Sequence, residues 1–133
     1  MSLWFPLLVI GAGAATGAWL RWGLNLLLNP LFPTIPLGTL ASNLIGGFFM
    51  GVMMVVIEKN PALPPEVRLA IITGFLGGLT TFSTFSGETV SLFANEEYLW
   101  GSLFILGHLI GSLGMTVLGM ISVKWLLAYS SPS

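Results

Sequence analysis

The stretch from Leu37 to Ile57 contains no charged side chain, and three further stretches, about 3–28, 67–94 and 99–127, come close to that condition. A helix of about 20 apolar residues spans about 30 Å, the thickness of a bilayer's hydrocarbon. Four such runs in 133 residues leave no room for a soluble domain. They predict an all-α membrane protein, one four-helix transmembrane domain over residues 1–133. Charged residues are 7% of the chain, against about 25% in soluble domains. The net charge of -1 gives no basic surface for nucleic acid. Cysteine is absent, which excludes disulfides and thiolate metal sites.

One run departs from what an anchor needs. Gly74 to Ser86 holds three glycines and five hydroxyl side chains, where a plain membrane helix would carry Leu, Val and Ile. Glycine lowers helix propensity by about 1 kcal/mol relative to alanine, and Ser and Thr offer the backbone competing hydrogen bonds. A helix broken mid-membrane survives where its freed carbonyls face protein, water or an ion. The stretch therefore reads as a functional centre that breaks the third helix.

The first run opens on apolar residues and reaches Ala12-Gly13-Ala14. No Lys or Arg precedes it and the apolar character continues, so it reads as a span, not a cleaved signal. Gly11, Gly13 and Gly17 do not make a dinucleotide fingerprint, because Thr16 holds the third glycine position and no strand precedes. Gly13 and Gly17 fit close helix packing. Arg21, between Trp19 and Trp22, reads as an interfacial anchor snorkelling among aromatics, with a structural role as the alternative. In the second run Thr39, Asn43 and Gly46-Gly47 share one face. Asn43 either bonds to another helix or donates its amide hydrogens to a passing solute.

Pro65 and Glu66 suit a helix's first turn. Phe82 and Phe85 are three apart, and Glu88 continues their stripe as the one acid well inside an apolar run. In the fourth run Phe104, His108, Ser112 and Thr116 form a stripe, with Gly107 and Gly111 as an adjacent packing face. His108 lacks a carboxylate three or four residues away, and reads as a hydrogen-bonding residue ahead of a proton relay. Glu88 alone makes a poor general base, so the chain does not read as an enzyme.

What remains is a set of tracks made of neutral donors: hydroxyls and one amide. Phenyl edges carry the positive end of the ring quadrupole, although packing is the plainer role for Phe82 and Phe85 on spacing alone. Neutral donors with aromatic edges suit an anion that must shed water without being trapped by a full positive charge. The freed carbonyls near Gly77 and Thr80 have the opposite polarity and suit a cation such as Na⁺. Lys59, Arg68 and Lys124 fall on one side and Arg21 on the other, a bias weak enough to permit insertion both ways.

At these residues the sequence resembles the Fluc/CrcB family of bacterial fluoride channels. The matching pieces are Gly17 to Trp22, Gly38 to Gly46, Gly74 to Ser86 and Gly111 to Thr116, in the family's order. The resemblance implies an antiparallel, dual-topology homodimer in the bacterial inner membrane, passively exporting fluoride and lowering its cytoplasmic level. It implies a fluoride pathway lined by Asn43, Phe82 and Phe85 and continued by Thr39, Ser83, Thr84, Ser112 and Thr116, with Glu88 near a pore mouth. It also implies a structural Na⁺ held at the dimer centre by the carbonyls of Gly77 and Thr80. Two positions depart from the family pattern: Phe104 stands where some relatives have tyrosine, and His108 replaces a smaller residue. The competing reading is a proton-coupled exporter of the small multidrug resistance type. That class is built around a glutamate in its first helix, which this chain lacks.

Overall fold

The computed structural model describes residues 2–131. Four helical spans account for nearly all of them. Helix α1 is Trp4–Leu28, prolonged by a 3₁₀ turn at Asn29–Leu31, and α2 is Leu37–Lys59. The third span opens with α3 (Pro65–Arg68), continues as a π-helical segment (Leu69–Leu76) and ends its first half in α4 (Gly77–Leu79). Its second half is α5 (Phe82–Ala94), and the fourth span is the single helix α6 (Tyr98–Ser130). All four spans are long and apolar enough to cross a membrane. The expected limits differ from these by at most three residues at the ends, within the fraying of helix termini.

Local chemistry explains the boundaries. Pro65 occupies the first helical position, where its missing N–H costs nothing, and Glu66 follows in the positive first turn. Helix α2 lacks a cap from its own first residues. The Gly38 N–H instead donates to Asn29 Oδ1 at 2.7 Å, so the preceding linker caps it. Between α5 and α6, Glu96 turns the chain with φ 62°.

The interior mixes polar residues with apolar ones such as Val55, Leu79 and Phe104, while the surface is apolar. Thr39, Ser42 and His108 are buried, while Leu7, Leu8, Trp19, Leu109, Ile110 and Leu113 face outward. Such a surface is stable only against lipid or another apolar face. Glycines close the inside. A Cβ at Gly17 would strike the Phe75 carbonyl and one at Gly78 the Ala14 carbonyl, so α1 crosses the third span backbone to backbone. A second such crossing joins α2 to α6, where Gly51 meets the Thr116 carbonyl and Gly119 the Phe48 carbonyl. The expected pair Gly107 and Gly111 is looser, facing only the side-chain ends of Leu40 and Leu44. No described glycine has positive φ, so these residues serve approach, not turns.

The third span is interrupted at Thr80 and Thr81, whose backbones are extended (φ -88°, ψ 155° and φ -151°, ψ 124°). The helix runs straight through Gly77 and Gly78 and fails only after them. The π-helical turn before it has no counterpart in the sequence reading.

Candidate functional site

Interrupting a helix leaves donors and acceptors that must be satisfied. Thr81 caps α5, its Oγ1 accepting from the Thr84 N–H at 3.1 Å. Thr80 closes the end of α4, its N–H and hydroxyl both donating to the Leu76 carbonyl. The rest comes from a distant side chain. Asn43 on α2 accepts from the Thr81 N–H at 2.8 Å and donates Nδ2 to the Thr81 carbonyl at 3.1 Å. The amide thus pairs with both backbone groups of one residue, as a neighbouring strand would. Its second Nδ2 hydrogen points to His108 Nδ1 on α6, 3.1 Å away. Asn43 therefore ties α2, the break and α6 together, which is the helix-bonding role offered for it. A solute receiving its amide would have to displace one of these partners.

Arg21 takes part in the same structure. Its Nε donates to the Gly78 carbonyl at 3.1 Å, so an interfacial anchor is an incomplete description of it. The carbonyl of Thr80, at the negative end of α4, accepts no hydrogen bond among the described residues.

Two clefts flank α5. The first, of about 470 Å³, is lined by Asn43, Gly77, Thr80, Phe82, Phe85, His108, Ser112 and Thr116, among others. The second, of about 450 Å³, lies towards the other end of the helix and is lined by Thr34, Pro36, Thr84, Gly87, Glu88, Ser91, Leu92 and Asn95. The structure therefore gathers Asn43, Phe82, Phe85, Ser112 and Thr116 in one space and Thr84 with Glu88 in another. Thr39 and Ser83 line neither. Thr39 is fully buried and donates its hydroxyl to Glu88 Oε1 at 2.9 Å. Ser83 is exposed, with its hydroxyl 3.4 Å from that of Thr81.

The two phenylalanines are in edge contact, centroids 5.6 Å apart at 61°, but in different surroundings. Phe82 is 77% exposed and Phe85 9%. Phe85 packs on Phe104 and His108, with centroid separations of 5.6 and 4.4 Å. Most donors in the first cleft already have protein acceptors. The Thr116 hydroxyl lies 3.0 Å from both the Gly47 and Ser112 carbonyls, and the Thr80 hydroxyl is engaged as above.

An apolar surface, four apolar spans and two clefts beside an interrupted helix define a small multi-pass membrane protein with some polar groups buried inside it. Comparison with known proteins narrows this. Residues 8–120 match the family model described as CrcB-like protein, Camphor Resistance (CrcB). The chain is 60% identical over 122 residues to a Fluoride-specific ion channel FluC of Nitrosospira multiformis, covering 92% of this chain and 95% of the relative. A protein of the same name from Thiobacillus denitrificans is 56% identical over 119 residues (90% and 96%), and one from Ralstonia pickettii 54% over 117 residues (88% and 93%). The chain belongs to the CrcB-like family.

Proposed function

We propose that this protein is a fluoride channel of the bacterial inner membrane, through which fluoride leaves the cytoplasm down its gradient. The observation that carries the reading is 60% identity, over nearly the whole of both chains, to a protein named as a fluoride-specific ion channel. The site is chemically compatible with it. The first cleft presents hydroxyl, amide and phenyl groups, and the second presents hydroxyls, an amide and the Glu88 carboxyl, neither with a fixed cation. The neutral donors can replace an anion's water without holding the ion too tightly.

In this reading fluoride passes along α5 between the two clefts, beside Thr84 and Glu88 at one end and Asn43, Ser83, Ser112 and Thr116 at the other. Phe82 and Phe85 turn ring edges towards it. Thr39 acts by holding Glu88. The break at Thr80 and Thr81 lies at mid-membrane depth, and the functional unit is an antiparallel homodimer with dual topology. The 77% exposure of Phe82 supports a second subunit closing the first cleft.

Na⁺ fits the end of α4. The Gly77 and Thr80 carbonyls are oxygen donors at the negative end of an interrupted helix, and the Thr80 oxygen has no hydrogen-bond partner among the described residues. When bound between two subunits, Na⁺ would be held by these oxygens and would fix the dimer centre.

The test is flux from liposomes holding the purified protein. Fluoride efflux with chloride retained is the expected result. Well-folded protein that releases no fluoride would exclude the reading.

A further inference from the structure

One amide settles where a proton lies. The Thr81 N–H can only donate and the Thr81 carbonyl can only accept, so the Asn43 atoms facing them at 2.8 and 3.1 Å are Oδ1 and Nδ2 respectively. Turning the amide over would lose both bonds and set like against like. Nδ2 must therefore send its other hydrogen to His108 Nδ1, 3.1 Å away. That nitrogen carries a lone pair, and the imidazole is neutral with its proton on Nε2.

This Nε2–H is unspent. His108 is 4% exposed, and its Nε2 is buried with no acceptor among the described residues. Phe85 and Phe104 each lie against the ring with centroids at 4.4 Å, which offers the N–H no lone pair. A buried donor left unpaired is destabilising, and well-packed proteins seldom keep one without a use. Around it the Asn43, Thr80 and Thr116 hydrogens are committed to protein acceptors. His108 borders the first cleft, and its Nε2–H is a side-chain N–H there with no acceptor among the described residues.

We propose that His108 Nε2–H is a further anion donor, and that its ligand is a small, hard anion that takes a hydrogen bond in the first cleft. The assignment rests on the channel reading above and deepens it. A hydrogen bond from a neutral N–H to an anion is charge-assisted and short, while a neutral ring holds the ion less firmly than an imidazolium would. The donor is also fixed in direction, because Asn43 grips the opposite nitrogen and two phenyl rings hold the plane. Nε2 has no surface open to water, so an anion reaches it only as the Phe85 and Phe104 rings beside it give way, and it gives up hydration there, which disfavours large anions.

His108 is the chain's single histidine, so the imidazole nitrogens of isotope-labelled protein in bilayers can be read without overlap. The expected spectrum shows a protonated Nε2 and an unprotonated Nδ1, with Nε2–H shifting on addition of fluoride and not of chloride. In parallel, His108→Phe lowers fluoride flux about tenfold or more, as loss of a hydrogen bond to a charged group does. His108→Gln, which returns an N–H near the Nε2 position, recovers most of that loss. A proton found on Nδ1, or an Nε2–H unmoved by fluoride in protein that conducts it, would overturn the proposal and leave the channel reading standing. Absence of fluoride flux from the unaltered protein would remove both.

Discussion

The two halves of the third span meet their neighbours in opposite ways. Before the break the chain lies on α1 with no side chains between: Gly13 and Gly17 face the Ala70 and Phe75 carbonyls, and Gly78 faces Ala14. After it, α5 meets α6 through rings, with Phe85 on Phe104 and His108. Backbone contact has no slack and presents little chemistry. Ring contact leaves spaces of molecular size and donors such as Nε2–H. One half supplies a rigid frame and the other a lining.

Three substitutions probe that division, and the frame carries the largest effect. Gly78→Leu drives a side chain into the Ala14 carbonyl, which cannot swing aside, and costs about 3 kcal/mol or more. The expected outcome is little monodisperse protein after extraction, measured by size exclusion. Normal yield would show that the crossing can open, and would erase the distinction between the halves.

Asn43→Asp acts at the junction. It sets a carboxylate oxygen against two acceptors, the Thr81 carbonyl and His108 Nδ1, in place of the Nδ2 hydrogens. Losing one such bond costs about 1.4 kcal/mol or more, so flux in liposomes should drop by at least about tenfold. Folded protein should persist, because the glycine frame is untouched. Unchanged flux would mean that the lining does not depend on this amide.

Thr81→Ala is the mildest. It removes the cap on α5 while leaving Asn43's bonds to the backbone of residue 81 in place, and costs about 1 kcal/mol. A melting temperature lowered by a few degrees with fluoride selectivity kept is the expected result. Loss of selectivity would show that the cap also shapes the lining.

The spans were legible from hydropathy alone, because an uncharged run the length of Leu37–Ile57 has one stable form in lipid. The break was legible as a cluster of Gly, Ser and Thr, but not its position. Glycine was the louder signal, yet Gly77 and Gly78 stay helical and the interruption falls at Thr80 and Thr81. Its partner is Asn43, 38 positions away in sequence, and no local pattern marks such a pairing. The same holds for Arg21 with the Gly78 carbonyl, across 57 positions, where flanking tryptophans pointed to the interface instead. The stripe of His108, Ser112 and Thr116 was visible by spacing. Which of its hydrogens were already spent was not, since that depends on carbonyls from another helix.

The π-helical turn at Leu69–Leu76 has a bearing on how length and phase are set in this span. Wider turns take up residues without adding the usual rise, so the segment works like a vernier between Arg68 at one end and Gly77 at the other. Were it to relax to ordinary winding with all its residues kept, each would turn by about 100° instead of the smaller π-helical step, and everything downstream would rotate. Gly78 would leave α1, and Thr81 would leave the reach of Asn43. The irregular turn is what lets the start of the span at Pro65 and the interruption at Thr80 and Thr81 be in register at the same time.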